Sequence, residues 1–94
     1  FGSGNTYVLS TGTNTITQFT MGAAAMDYQL TDGSGNYRYG TLKFNNSVYG
    51  STFDDDFTEP TISLGANIFV SYNGTLTCTV TTNSTFKYNI RQFI

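Results

Sequence analysis

The run Thr75-Leu76-Thr77-Cys78-Thr79-Val80-Thr81 alternates without a fault, with Leu76, Cys78 and Val80 on one side and four threonines on the other. A period of two marks a strand with one buried and one solvated face. Threonine suits the wet face, because its β-branched side chain favours extended backbone and still offers water a hydroxyl. Upstream, Asn67-Ile68-Phe69-Val70-Ser71-Tyr72 alternates as well, and Tyr72-Asn73-Gly74-Thr75 joins the two runs. Asn-Gly at the centre predicts a type I′ hairpin, in which both central residues take positive φ. Downstream, Thr82-Asn83-Ser84 predicts a turn into Phe86-Lys87-Tyr88-Asn89-Ile90-Arg91, where Phe86, Tyr88 and Ile90 face one way and Lys87, Asn89 and Arg91 the other. The last 28 residues therefore read as a three-stranded meander.

The first half follows the same period with more interruptions. Tyr7-Val8-Leu9 and Thr15-Ile16-Thr17-Gln18-Phe19 are short strands around Thr11-Gly12-Thr13-Asn14. Met21-Gly22-Ala23-Ala24-Ala25-Met26 is the one stretch with helical composition; it is too short for more than a single turn or tight connection. Ala25–Thr31 points Met26, Tyr28 and Leu30 inward, and the loop Asp32-Gly33-Ser34-Gly35-Asn36 returns the chain into Tyr37–Phe44. There Tyr37 and Tyr39 share one parity and Leu42 and Phe44 the other, so a bulge near Gly40 would put both pairs on one face. Pro60 closes the acidic stretch Asp54–Glu59, outside any strand, and Thr61-Ile62-Ser63-Leu64 is a further short-strand candidate. Seven or eight short strands with turn signals every 8–12 residues or so predict an all-β, small antiparallel β-sandwich or jelly roll, with two sheets of three or four strands.

Composition narrows the function classes. Only 11% of the 94 residues are charged, against about 25% in ordinary domains, and the net charge is −2 with no basic cluster. That excludes the electrostatic footprint of a nucleic-acid binder. No apolar run approaches the 18 or so residues a membrane-spanning helix needs, so no membrane insertion is expected. Seventeen Thr, ten Gly, nine Asn and eight Ser supply the polarity, and aromatics reach 16% with no Trp. The chain opens at Phe1 with a loop-like Phe1–Asn5, read as a linker from a longer chain, and 6–94 as a single sandwich domain. One Cys makes neither an internal disulfide nor a zinc site. A domain of this size without such staples is marginal alone, which predicts a homo-oligomer.

Candidate chemistry is sparse. His is absent, so a Ser or Cys nucleophile lacks its usual base, and Lys43 and Lys87 face solvent by parity. Asp54, Asp55, Asp56 and Glu59 crowd one presumed loop, whereas paired catalytic carboxylates stand opposed across a cleft. No enzymatic activity and no cofactor are expected. Asp54, Asp56 and Glu59 are the weak candidates for a Ca²⁺ site, which wants six to eight oxygens. The same residues also read as a solvated acidic turn, or as carboxylates pairing with Arg38 and Arg91, both placed on outward parities. Cys78 falls on the buried face as a structural thiol. Tyr28, Tyr37, Tyr39, Tyr49, Tyr72 and Tyr88 admit sugar stacking or plain core and interface packing. The interface or ligand candidates are therefore Tyr37, Tyr39, Tyr49, Arg38, Arg91 and Asp55. Three N-x-Ser/Thr matches, at Asn45, Asn73 and Asn83, are expected by chance in so Asn- and Thr-rich a chain.

Tyr37-Arg38-Tyr39-Gly40-Thr41-Leu42, Phe53-Asp54-Asp55-Asp56-Phe57-Thr58-Glu59, Ile68–Tyr72 and Phe86–Arg91 together resemble a small C-terminal β-domain of tailed-bacteriophage virion structural proteins, over residues 26–91. That family runs from an R-x-G-T-L strand through an acidic D-D-x-T-E turn and a Gly/Thr-rich strand pair to an L-K-Y-x-I-R strand. Phe86 stands where Leu is commoner. The resemblance implies a virion location, trimeric assembly, other virion proteins as neighbours and no transferable receptor-contacting residue. On it rests the leading expectation: a distal module of a trimeric tail fibre or spike for host attachment and assembly, touching a host surface glycan through exposed Tyr and the Asp32–Asn36 loop. The alternatives are a capsid decoration protein and a secreted carbohydrate-binding domain, the last binding glycans as a monomer.

Overall fold

The strong alternation of Leu76, Cys78 and Val80 does build one wall of a core. A computed structural model describes residues 5–18 and 22–92, and shows eight strands and no helix among them: β1 Asn5–Leu9, β2 Gly12–Gln18, β3 Gly22–Asp32, β4 Tyr37–Ser47, β5 Gly50–Thr58, β6 Asn67–Val70, β7 Thr75–Val80 and β8 Ser84–Gln92. They form two antiparallel sheets, one of five strands in the order β1-β8-β3-β4-β5 and one of three in the order β2-β7-β6. The inner faces meet over Leu9, Ile16, Met26, Tyr28, Leu30, Leu42, Ile68, Val70, Leu76, Cys78, Val80 and Phe86, all buried. Tyr28 and Phe86, neighbouring-strand residues, stack at 5.3 Å and form the aromatic centre. The fold is a small β-sandwich, as the periodicity predicts.

Several local expectations give way. Strands β6 and β7 pair, but β8 leaves them and joins β1 and β3 in the other sheet, so the last three strands are not a meander. Alternation tells which side of a strand is buried and not which sheet it enters; Phe86 and Tyr88 fill the core from the wall opposite β7. The β6–β7 connection is not type I′. Gly74 N–H donates to Ser71 O at 2.9 Å and only Gly74 has positive φ (85°), giving a type I turn closed by a left-handed glycine. Asn73 spends its side chain instead, accepting from the Thr75 hydroxyl at 2.9 Å. Gly22 and Ala23–Met26 are strand rather than turn, while Met21 and Phe19 lie outside the described residues, as do residues 1–4 of the expected linker; Asn5 already opens β1. Thr61–Leu64 forms no strand and lies in the crossing from β5 to β6.

The two decisive corrections concern β4 and β5. Strand β4 keeps one unbroken register against β3, from Gly22↔Asn46 to Thr31↔Tyr37, with no bulge at Gly40. Even-numbered residues all face inward, so Arg38 is inside at 4% exposure while Tyr37 and Tyr39 lie outside. Asp54-Asp55-Asp56, expected as a turn, is the middle of the edge strand β5. Alternation sends Phe53, Asp55 and Phe57 toward the interior and Asp54 and Asp56 to the outer face. The second edge of the core is closed by Phe53 against Phe69 of β6, ring to edge at 5.7 Å.

Gly40 is where β5 comes nearest. A Cβ there would lie 2.2 Å from Asp56 O and 2.7 Å from Phe57 Cα, both backbone atoms, although its φ is ordinary. Gly40→Ala is therefore expected to lower the unfolding free energy by about 2 kcal/mol or more through displacement of β5. Gly33→Ala, with nothing within 4 Å of the added carbon, should stay within about 0.5 kcal/mol of wild type. Urea midpoints that coincide for the two variants would contradict this β4–β5 spacing.

Candidate functional site

Two charged assemblies stand on opposite faces of the five-stranded sheet. The inner one is built on Arg38. Its Nη2 lies 2.9 Å from Glu59 Oε2 and donates to Ala66 O at 3.1 Å, Nε donates to the same Glu59 oxygen at 3.0 Å, and Nη1 stands 4.0 Å from Asp55 Oδ2. The guanidinium carbon sits 3.9 Å from the centre of the Phe57 ring, a cation–π contact that covers the buried Arg38 from the side of the exposed edge strand. Asp55 in turn accepts from the fully buried Tyr28 hydroxyl at 2.8 Å, and Glu59 accepts from Leu64 N–H at 3.0 Å. Burial pushes the Asp55 carboxyl above the ordinary carboxylate value, against the Tyr28 bond and the Arg38 charge. Burial also acts to raise Glu59, but the Leu64 N–H and Arg38 outweigh it and hold that group below its usual range. Burial and the Asp55 bond drive the Tyr28 phenol far upward. No described buried side-chain N or O in the protein is left without a partner. A closed, fully satisfied cluster of this kind positions strands; it leaves no group for a ligand.

The outer assembly is open. Register sets Asn89, Asp27, Thr41 and Asp56 in one row across β8, β3, β4 and β5, with Lys87, Gln29, Tyr39 and Thr58 in the next. Between these rows lies a shallow depression of about 710 Å³ lined by Asp27, Gln29, Tyr39, Gly40, Thr41, Asp56, Thr58 and Asn89. Asp27 Oδ1 accepts from the Thr41 hydroxyl at 2.8 Å and from Arg91 Nη2 at 3.1 Å. Among the described residues, Gln29, Asp56, Thr58 and Asn89 form no side-chain hydrogen bond. Tyr39, 45% exposed, stacks beside Tyr37 with ring centres 6.1 Å apart, so one aromatic platform borders the depression. The site thus offers amide donors and acceptors, hydroxyls and carboxylates around a ring face, with two carboxylates and no cation in its immediate lining.

The residues singled out from sequence separate cleanly. Tyr37, Tyr39, Arg91 and Asp56 share the outer face without forming one group: Tyr39 and Asp56 line the depression, Tyr37 flanks Tyr39, Arg91 lies level with Ala25 toward the other end of β3, and Asp54 stands opposite Lys43. Arg38, Asp55 and Glu59 meet inside, so the outward parity assigned to Arg38 is wrong: burial with two carboxylates and the Phe57 ring compensates for its lost hydration. Arg91 pairs with Asp27 rather than with the acidic stretch. Tyr49 stands alone at the tip of the β4–β5 hairpin, 92% exposed and away from both assemblies. Alternation also splits the weak metal set, Asp54 and Asp56 outside and Glu59 on Arg38, and the described residues hold no group of three or more metal-binding side chains. In the Asp32–Asn36 loop the Asp32 carboxylate is spent on the Asn36 side chain at 3.1 Å and on the Ser34 and Asn36 N–H groups, bonds that lower its pKa. Cys78 is fully buried, and burial pushes its thiol up to about 11. Sequence reasoning missed Asp27, Gln29, Asn89, Thr41 and Thr58. The signal for Asp27, Gln29 and Asn89 is the polar parity of β3 and β8, and for Thr41 and Thr58 that of β4 and β5, readable only once the β8-β3-β4-β5 order is known.

Comparison with protein-family models, curated proteins and solved structures finds no match to this chain.

The Arg38 cluster has a pH signature. Asp55 binds its proton more tightly folded than unfolded, so its contribution to stability grows as pH falls through its raised pKa toward 3.8. Glu59 does the reverse: its contribution is present above about 4.5 and is lost as pH falls through its lowered pKa. Asp55→Asn keeps an acceptor for Tyr28 and removes the offsetting titration, so stability should fall more steeply than in wild type between about pH 5 and pH 3. Arg38→Met, which strands both carboxylates, should cost about 3 kcal/mol or more at neutral pH. Urea unfolding across this range checks both; parallel wild-type and Asp55→Asn profiles would contradict the account.

Proposed function

We propose that this chain is a non-catalytic attachment module that binds a neutral, hydroxyl-rich oligosaccharide on the outer face of its five-stranded sheet. The observation that supports it is the convergence in one depression of the Tyr39 ring with the Gln29, Asn89, Asp56 and Thr58 side chains, which have no hydrogen-bond partner among the described residues. Small-molecule sites combine an apolar platform with a few convergent polar groups. A pyranose fits this pair of demands, with its C–H face on the electron-rich ring face and its hydroxyls serving as both donor and acceptor. An anion would meet Asp27 and Asp56, which argues against phosphate and nucleic acid as ligands. The setting we propose is a virion, on the resemblance of residues 26–91 to phage structural domains, with a host surface glycan as ligand and other virion proteins as neighbours.

Titration of the labelled 94-residue chain with neutral oligosaccharides, followed by NMR, tests this reading. Amide shifts should cluster at Asp27, Gln29, Tyr39, Thr58 and Asn89, and Tyr39→Ala should weaken binding by about tenfold or more with an unchanged melting temperature. Absence of shifts on this face at about 10 mM sugar, or binding indifferent to Tyr39→Ala, would overturn it.

A further inference from the structure

The four edge strands of the sandwich are not equally protected against pairing with another chain. Free N–H and C=O groups along an edge recruit further strands unless a charge, a bulge or extreme shortness blocks them. Strand β5 carries Asp54, Asp55 and Asp56 in succession, so pairing it with its own copy would set carboxylates against carboxylates. Strand β6 is only four residues long. The ladder of β2 breaks register between Thr15 and Thr17, a bulge that bends the edge. Strand β1, Asn5-Thr6-Tyr7-Val8-Leu9, is one residue longer than β6 and carries neither a charge nor a bulge. It has no proline and no glycine, and it runs in one straight register from Asn5↔Tyr88 to Leu9↔Ser84. Its outer face presents Val8 at 75% exposure, while Tyr7, on the inner side with Leu9, is still 39% exposed at the sheet edge.

We propose that β1 is the assembly edge, and that its occupant is β1 of a second copy of this chain. An antiparallel pair about a two-fold axis at Tyr7 sets Thr6 opposite Val8 of the second copy and Tyr7 opposite Tyr7. This joins two five-stranded sheets into one of ten. The pairing meets no charge repulsion. No charge lies on β1, and the nearest like charges, the two Lys87 side chains next to Thr6, stand three strand spacings apart. At about 4.8 Å per strand that is about 14 Å, beyond the screening length of roughly 8 Å in physiological salt. Each copy covers one flank of Val8 with Thr6 of the other and pairs its edge backbone, the kind of staple that a disulfide-free domain of this size needs. The assembly is a two-fold dimer, in place of the trimer that the phage resemblance implies, and it leaves the Tyr39 depression facing solvent.

Sedimentation equilibrium of the full 94-residue chain tests the proposal. Wild type should show a reversible dimer, Val8→Lys should weaken self-association by about tenfold or more, and Val48→Lys, a change at the equally exposed tip of the β4–β5 hairpin, should leave it intact. Because Val8 contributes little to the core, Val8→Lys should keep the wild-type melting temperature at low protein concentration. Tyr7→Cys should give a disulfide-linked dimer on oxidation, from residues facing each other across the axis. A wild-type monomer at millimolar concentration would overturn the proposal, as would a trimer, or a dimer that Val8→Lys leaves unchanged.

Discussion

The structure turns on one cation placed where a β-sandwich usually keeps only hydrocarbon. A guanidinium withdrawn from water costs several kcal/mol unless its charge is paired and its N–H groups are bonded. Arg38 meets that condition by collecting partners from three separate segments: Asp55 and Phe57 from β5, Glu59 from just beyond it, and Ala66 O from the approach to β6. The consequence is geometric. Strand β5 cannot drift from β4, and the 59–66 crossing cannot lift away, without exposing a buried charge. Gly40 completes the arrangement, because only a residue without a Cβ lets β5 close to the distance at which Asp55 and Phe57 reach Arg38.

The same cluster selects register. Sliding β4 by one residue would exchange Arg38 for Tyr39 on the inner face and leave the partly buried Asp55 and Glu59 without a cation. A hydrophobic pattern alone holds this stretch weakly, since Tyr37 and Tyr39 lie on one parity and Leu42 and Phe44 on the other. The ionic group supplies the discrimination that the apolar residues lack, the use for which buried charges are best attested. Tyr28 adds to it from β3, since its phenol reaches past β4 to Asp55.

This explains which parts of the fold could be read from the chain and which could not. Strands β3, β7 and β8 alternate so strongly that their inward residues, from Met26 to Val80 to Tyr88, are legible from period alone. The sheet each strand enters is not, because β1 to β2 and β7 to β8 both change sheets through connections of a few polar residues with no distinctive chemistry. Strand β5 was illegible for a different reason. Three consecutive aspartates look like a turn when each is weighed separately, and become a strand only when Asp55 is matched with an arginine that itself looked solvent-facing. The pairing of Arg38 with the acidic stretch is among the readings of the sequence and is present; its place is not legible, because Arg38 reads as outward and the aspartates as a turn. The outer depression shared that fate: Tyr39 was visible, but Gln29 and Asn89 acquire meaning only from the β4-β3-β8 order.

Placement of the charges ties the interior to the surface. Of ten charged side chains, Arg38, Asp55 and Glu59 are consumed inside, Asp32 is consumed by its own loop, and the other six all stand on the outer face of the five-stranded sheet, three carboxylates against three cations. The outer face of the three-stranded sheet has none; Thr13 and Thr79 bond hydroxyl to hydroxyl there at 2.9 Å amid further threonines. A face that is neutral in sum but dense in hydrogen-bonding groups has little long-range pull on charged partners and strong short-range complementarity to polar neutral ones. The edges follow the same economy. With so few charges available, acidic protection was placed on β5, where Asp55 was already required by Arg38, and β1 was left bare. The interior ion pair therefore reaches beyond stability, since by fixing where the aspartates lie it also decides which edge of the sandwich remains open.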